Sequence, residues 1–360
     1  MKLFVALLVC IFAILQIDAN QCTDSVCVVD DQSLRFFAIG DFGGEPIWPW
    51  YSPVQNDIAK AMEKLGTERN THFQIELGDN FYTTGVTDVN DKRWKDTFED
   101  IYVGDAMQRP WYVIAGNHDH VGKVEAEVEY TKMSNRWVFP DVNYTIKYQI
   151  GQGAQAKLVQ FVMFDAILLT GSMPPDYSWW DKAMKLIGRK KRYDPSDKDQ
   201  SEIMWTWIEQ QLQQSTADYL FVMGHYPIFS IGEHGPNQIL VDRMIPLLHK
   251  YHVTMYMNGH DHSLQHFQLT QNDSQGKPYM VDYVVNGAGS RGDHSTAHES
   301  DVPAGALKWH YPTGWDGGIG GLGFTDGGFT YFEINAQQGQ LQFLDKDGGQ
   351  KHSITFSPRK

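Results

Sequence analysis

Apolar residues in this chain gather into short, nearly unbroken runs set between polar stretches. The runs fall at Leu34–Ile39, Phe73–Leu77, Trp111–Ala115, Leu158–Phe164, Tyr219–Met223, Thr254–Met257 and Tyr279–Val285, and they are rich in Val, Ile and Phe. Runs so short that do not alternate predict strands buried on both faces. Between the first two the spacing turns helical. Ser52, Pro53 and Gln55 predict an N-cap, a first-turn proline and a capping-box partner; Val54, Ile58, Met62 and Leu65 follow, and Gly66 is the expected stop. Ser201 opens a second such stretch, with Ile203, Met204, Trp207, Ile208 and Leu212 expected on one helical face ahead of the Tyr219 strand. Strand, helix, strand in succession predicts an α/β domain. No repeat, low-complexity tract or long linker divides residues 30–360, so residues 20–360 read as a single domain.

The first 19 residues read differently. Lys2, an apolar run from Leu3 to Leu15 and the small residue Ala19 form the pattern of a secretory signal peptide, and the run is short for a membrane span. Its removal takes Cys10 away and leaves Cys22 and Cys27, close enough for a small-loop disulfide and equally compatible with free thiols. The sequons at Asn143 and Asn272 fit passage through the secretory pathway. The expected destination is secretion or the lysosome, with no membrane span after cleavage.

Composition narrows the chemistry. With 360 residues, 42% hydrophobic and 13% aromatic content, the chain can bury a large core. A formal net charge of -14 argues against a sequence-independent grip on nucleic acid. Three cysteines cannot form a thiolate metal site in a chain of this kind, so any metal must use imidazole and oxygen donors.

Such donors stand at the ends of the predicted strands. Five runs lead into a glycine and then a metal-competent side chain: Gly40-Asp41, Gly78-Asp79, Gly116-Asn117-His118-Asp119, Gly224-His225 and Gly259-His260-Asp261-His262. In open α/β sheets ligands bind beyond the carboxyl ends of the strands, so these groups are expected to converge. Glycine lets the chain turn sharply enough to bring its neighbour up to a central ion. Two carboxylates, an amide and three imidazoles exceed the needs of one catalytic ion and suggest two, bridged by a carboxylate. Tyr82, three residues past Asp79, is a candidate phenolate. A carboxylate, phenolate and imidazole set suits trivalent iron, and an Asn with two His suits a divalent neighbour.

The blocks Asp41-Phe42-Gly43-Gly44, Gly78-Asp79-Asn80-Phe81-Tyr82, Gly116-Asn117-His118-Asp119, Gly224-His225-Tyr226-Pro227 and Gly259-His260-Asp261-His262 resemble those of the metallophosphoesterases, and more narrowly the small purple, tartrate-resistant type acid phosphatases. The resemblance runs from about residue 34 to the late 340s. Where most metallophosphoesterases carry a His two residues after the first Asp, this chain has Gly43, and Tyr82 stands where the purple enzymes place a tyrosine ligand. The resemblance implies a sandwich of two mixed β-sheets flanked by helices, with a dinuclear site at strand C-terminal ends. It implies Asp41, Asp79, Tyr82 and His262 on Fe(III), Asp79 bridging, and Asn117, His225 and His260 on a divalent Fe, Zn or Mn. His118 and His234 match the non-ligand histidines near the substrate. The expected reaction is hydrolysis of a small-molecule or phosphoprotein phosphomonoester by a metal-held hydroxide, with His118 and His234 binding phosphate and protonating the leaving group. A phosphodiesterase or nucleotide pyrophosphatase of the wider family, and a secreted glycoprotein with a decayed site, are the alternatives.

Some features depart from the resemblance. Arg189-Lys190-Lys191-Arg192 opens a hydrophilic 189–199 loop, read either as a solvated turn or as the processing-protease site of the exposed loop that animal enzymes carry. The disulfide of many animal members is absent, since Thr170 and Ile239 occupy its places. Gly314–Gly328 holds eight glycines and reads as a flexible loop of unassigned role, and Arg291-Gly292-Asp293 as a polar loop.

Overall fold

A computed structural model describes residues 22, 25–29, 31–45, 47–172, 193–314 and 323–359. Its strands are β1 (Val26–Val29), β2 (Ser33–Ile39), β3 (Phe73–Glu76), β4 (Trp111–Val113), β5 (Trp137–Val138), β6 (Asn143–Ile150), β7 (Lys157–Phe164), β8 (Tyr219–Met223), β9 (Met255–Asn258), β10 (Leu264–Asn272), β11 (Pro278–Asn286), β12 (Leu307–Tyr311), β13 (Gly328–Asn335), β14 (Gly339–Asp345) and β15 (Gln350–Phe356). Each of the seven apolar runs forms a strand.

The strands make two sheets. A seven-stranded sheet runs β15-β14-β13-β2-β3-β4-β5, and an eight-stranded sheet runs β1-β6-β7-β8-β9-β11-β10-β12. β2, β3 and β4 are parallel to one another, as are β7, β8 and β9, while β13 and β10 add antiparallel neighbours. Both sheets are therefore mixed. Aromatic rings fill the space between them: Phe36 of β2 stacks on Phe73 and Phe332 at 4.8 and 4.5 Å and meets Phe161, from the other sheet, edge-on at 5.3 Å. Offset and edge contacts of this kind add to the area they bury.

The helices refine the sequence reading. Helix α1 (Pro53–Arg69) is capped by Ser52, whose Oγ accepts from Gln55 N at 3.0 Å. Gln55 does not close the capping box, because its side chain donates to Thr97 O. Gly66 does not stop the helix either: it is buried inside it where a Cβ would lie 2.8 Å from Ala106 Cβ, and Asn70 in the left-handed region ends it. Short helices α2 (Asn117–Val121), α3 (Val124–Tyr130) and α4 (Ala166–Thr170) follow. Helix α5 (Lys198–Gln214) is capped by Asp197, ahead of Ser201, and buries Met204, Trp205, Ile208 and Leu212. Ile203 is 68% exposed, because it lies about 150° around the helix from that stripe at 100° per residue. Helix α6 (Gln238–Lys250) follows β8.

Cys22 and Cys27 form a disulfide beside β1. Thr170 ends α4 with its hydroxyl on Ala166 O, and Ile239 is 39% exposed on α6. The segment Arg189–Arg192 and residues 315–322 of the glycine-rich stretch lie outside the described residues, as does the leader, residues 1–19.

Candidate metal centre

The two sheets meet at one end of the sandwich, where parallel strands from both release their chains. Asp41 follows β2, Asp79 and Tyr82 follow β3, and Asn117 and His118 open α2 after β4. The other sheet supplies His225 after β8, and His260 and His262 after β9. The donors come this close because the backbone takes conformations most residues avoid. Asp41, Asp79 and His260 have φ of 61°, 60° and 74°. Non-glycine residues there cost of order 1–3 kcal/mol each and persist where function requires them. Gly116 lets the chain approach Asp79 closely: a Cβ on it would sit 2.2 Å from Asp79 N and Oδ1. Gly43 is equally constrained, with Asp79 O 2.6 Å from where its Cβ would be, so no histidine fits at that position.

The donor atoms form two groups. In the first, Tyr82 Oη lies 2.9 Å from both Asp41 Oδ1 and His262 Nε2, and the last two are 3.6 Å apart. A phenol has one proton to share between those acceptors. In the second, His225 Nε2 is 3.0 Å from Asn117 Oδ1 and 3.5 Å from Asp79 Oδ1. Asp79, His225 and His260 present ligand atoms within 4.8 Å of one another. His225 Nδ1 lies 2.8 Å from Leu77 O, which turns the lone pair of Nε2 towards Asn117 and Asp79. Bonds of ~2.0–2.2 Å to a cation put neighbouring donors ~3 Å apart, the spacing of the closest pairs in each group.

The electrostatics demand positive charge. Burial pushes the Asp41 carboxyl well above its usual range, with Asp79 adding to it. Despite burial, the His225 and His118 imidazoles hold Asp79 well below that range. Burial opposes a charged His225, but Asp79 and Asp41 outweigh it and lift its pKa to about 9. His260 and His262 are pushed well down, chiefly by burial, then by His225 and Arg291 respectively. Burial, Asp41 and Asp79 push the Tyr82 phenol well up, and Arg291 pulls it down. The neutral imidazoles of His260 and His262, buried carboxylates and a phenol turned on one another fit hard metal ions.

Asp79, Asn117, His260 and His262 line a cleft of about 330 Å³. His118 and His234 line it too. His118 Nδ1 is 2.7 Å from Thr83 O, leaving Nε2 free, and its backbone N–H donates to Asp79 Oδ1 at 2.9 Å. The His234 ring stacks on His260 at 4.3 Å, and the His234 backbone N–H donates to Asp261 Oδ1 at 2.9 Å. Six of the nine candidate site residues thus line one cleft, while Asp41, Tyr82 and His225 lie behind them, Tyr82 against Asp41 and His262 and His225 against Asn117 and Asp79. Asn143 is half-buried at the start of β6 and Asn272 is exposed at the end of β10, and neither lines the cleft.

Sequence reasoning missed the residues that hold the loops. The buried Asp119 accepts from Gly116 N and Asn80 N at 2.7 and 3.1 Å through Oδ2, and from Phe81 N at 3.1 Å through Oδ1. The Arg93 guanidinium donates to Tyr82 O and, at 2.7 Å, to Gly43 O. Arg291 is part of the site wall rather than a simple polar loop, and Asp293 N donates to His262 O at 2.6 Å. Asp119 stood inside a recognised block; the arginines carry no local signal.

A family model described as calcineurin-like phosphoesterase matches residues 34–264, the span that holds all seven candidate ligands. Tartrate-resistant acid phosphatase type 5 of Rattus norvegicus is 38% identical over 336 residues, 92% of this chain and 94% of that protein. Purple acid phosphatase 4 of Arabidopsis thaliana is 28% identical over 326 residues, 89% of this chain and 83% of its own. Among solved structures, GAP50, described as the anchor in the inner membrane complex of Plasmodium, superposes with a TM-score of 0.70 at 21% identity, over 92% of this chain and 90% of that one. The chain belongs to the calcineurin-like phosphoesterases and, within them, to the purple, tartrate-resistant acid phosphatases. It is a phosphomonoester hydrolase.

Proposed function

We propose that the chain hydrolyses phosphate monoesters in acid at a dinuclear centre, with Asp41, Asp79, Tyr82 and His262 holding Fe(III) and Asp79, Asn117, His225 and His260 holding a divalent Fe, Zn or Mn. The observation that carries this reading is Tyr82 Oη held 2.9 Å from both Asp41 and His262. The fold alone would not suffice, since a neighbour of the same fold is described as an anchor. When bound, the ions supply charge neutralisation at the phosphoryl oxygens and acidify a water enough for it to attack phosphorus in acid.

The protein's own groups do the rest. His118 reaches the cleft through Nε2, since Nδ1 bonds Thr83 O, and there binds a phosphate oxygen. His234 is kept in the cleft by Asp261 and the His260 ring and protonates the leaving alkoxide. The second ion, the leader peptide, secretion or delivery to the lysosome, glycosylation at Asn143 and Asn272, and cleavage at Arg189–Arg192 that raises activity belong to the same reading.

The test is elemental analysis with a visible spectrum. Iron at one equivalent, or two where the divalent ion is also iron, and an absorption band from a tyrosine-to-iron transition are expected. Iron-free, colourless protein that still hydrolyses phosphate esters overturns the assignment. Hydrolysis of an aryl phosphate well above that of a bis-aryl phosphate separates a monoesterase from a diesterase.

A further inference from the structure

The ring of Tyr82 carries a cation on its face. The guanidinium carbon of Arg291 lies 4.6 Å from the ring centroid, and Nη2 donates to Gly44 O at 3.0 Å. The neighbouring Ser290 fixes the approach: its Oγ donates to Asp41 O at 2.7 Å, and its carbonyl accepts from Ser52 Oγ. His118 and His262 pack T-shaped against the same phenol, at 4.9 and 5.7 Å.

We propose that Arg291 is a positioning residue acting through Tyr82, its fixed charge setting the colour and the reduction potential of the ferric ion that Tyr82 holds. This rests on the dinuclear reading above. A cation within about 6 Å of a ring face is attracted to the π electrons, and the attraction grows when the ring belongs to a phenolate. Absorption in the visible moves electron density off the ring towards the iron, away from the guanidinium. The charge therefore raises the transition energy and disfavours loss of electron density from the phenolate. The same field favours the reduced ion. Arginine keeps its charge at any working pH, so the effect does not titrate away.

Three holoenzymes test this: wild type, Arg291→Lys and Arg291→Met. Arg291→Met is expected to move the visible band about 10–20 nm to longer wavelength, the size of one lost cation–π attraction, and to lower the midpoint potential of the coloured iron. Arg291→Lys keeps both close to wild type. Glu45→Gln removes a carboxylate whose charge opposes that of Arg291, and it is expected to move the band to shorter wavelength. A coloured Arg291→Met enzyme with the wild-type band and potential overturns the proposal. An unmoved band in Glu45→Gln does so if Arg291→Met fails to fold. A colourless wild-type enzyme instead overturns the dinuclear reading, and this inference with it.

Discussion

Behind the ligands, the side chain of Asn80 ties Asp119 to Glu127. Its amide donates to Asp119 Oδ2 at 3.2 Å, to Glu127 Oε2 at 2.8 Å and to Ile114 O at 3.0 Å, so the residue beside Asp79 cannot turn. Asp119→Asn would aim an amide at backbone donors, and metal affinity is expected to fall about 10–100-fold, as read by metal titration. Glu127 is different, since Oε1 has no partner and burial, then Asp119, push its pKa well up. A carboxyl with a raised folded pKa stabilises the fold fully below its unfolded pKa of about 4.3, and that contribution is lost as pH rises through the folded value. Glu127→Gln abolishes the loss, so its thermal midpoint is expected to gain on wild type with rising pH; a constant difference would contradict this. The candidate ligands were legible in the sequence because Asp41, Asp79, Asn117, His225 and His260 each follow a glycine at a strand end, with Tyr82 and His262 a short way behind. Asn80, Arg93 and Glu127 were not, because hydrogen bonds between distant segments leave no local pattern.

At the scale of elements, strand identity was written plainly and helix boundaries were not. A strand buried on both faces must be apolar throughout, which is why seven runs became seven strands. Gly66 resembled a stop because glycine commonly ends helices, whereas here it makes room for Ala106. Trp205 was passed over in favour of Ile203, since both are apolar and the phase of the buried stripe is set by what packs against it. Loops after the strands have almost no spare space. Gly116→Ala would force a methyl against Asp79, and a loss of about 2–3 kcal/mol is expected in chemical denaturation, together with lost metal. Full activity and stability in this variant would show that the β4–α2 turn can yield.

For the whole molecule, the net charge of -14 describes the surface and not the site. Buried carboxylates at Asp41, Asp79 and Glu76 lie close together, and cations held in the site would offset them. Ions that bind the folded state alone stabilise it by mass action, about 4 kcal/mol at a thousandfold excess over the dissociation constant. Chelation is therefore expected to lower the thermal midpoint, and metal restoration to recover it. The α/β class was legible from the succession of elements. The division of strands between two sheets was not, since partners such as β2 and β13 are separated by most of the chain.

That division governs the order of events when the chain folds. Asp41, Asp79, Tyr82 and Asn117 ride on one sheet, and His225, His260 and His262 on the other. Neither sheet holds all the candidate ligands, so on the dinuclear reading proposed above no intermediate with a single sheet formed would capture both ions. Loops this long close slowly. Metal uptake should follow the docking of the sheets, and during refolding colour should return with the slowest phase, after the backbone signal has recovered.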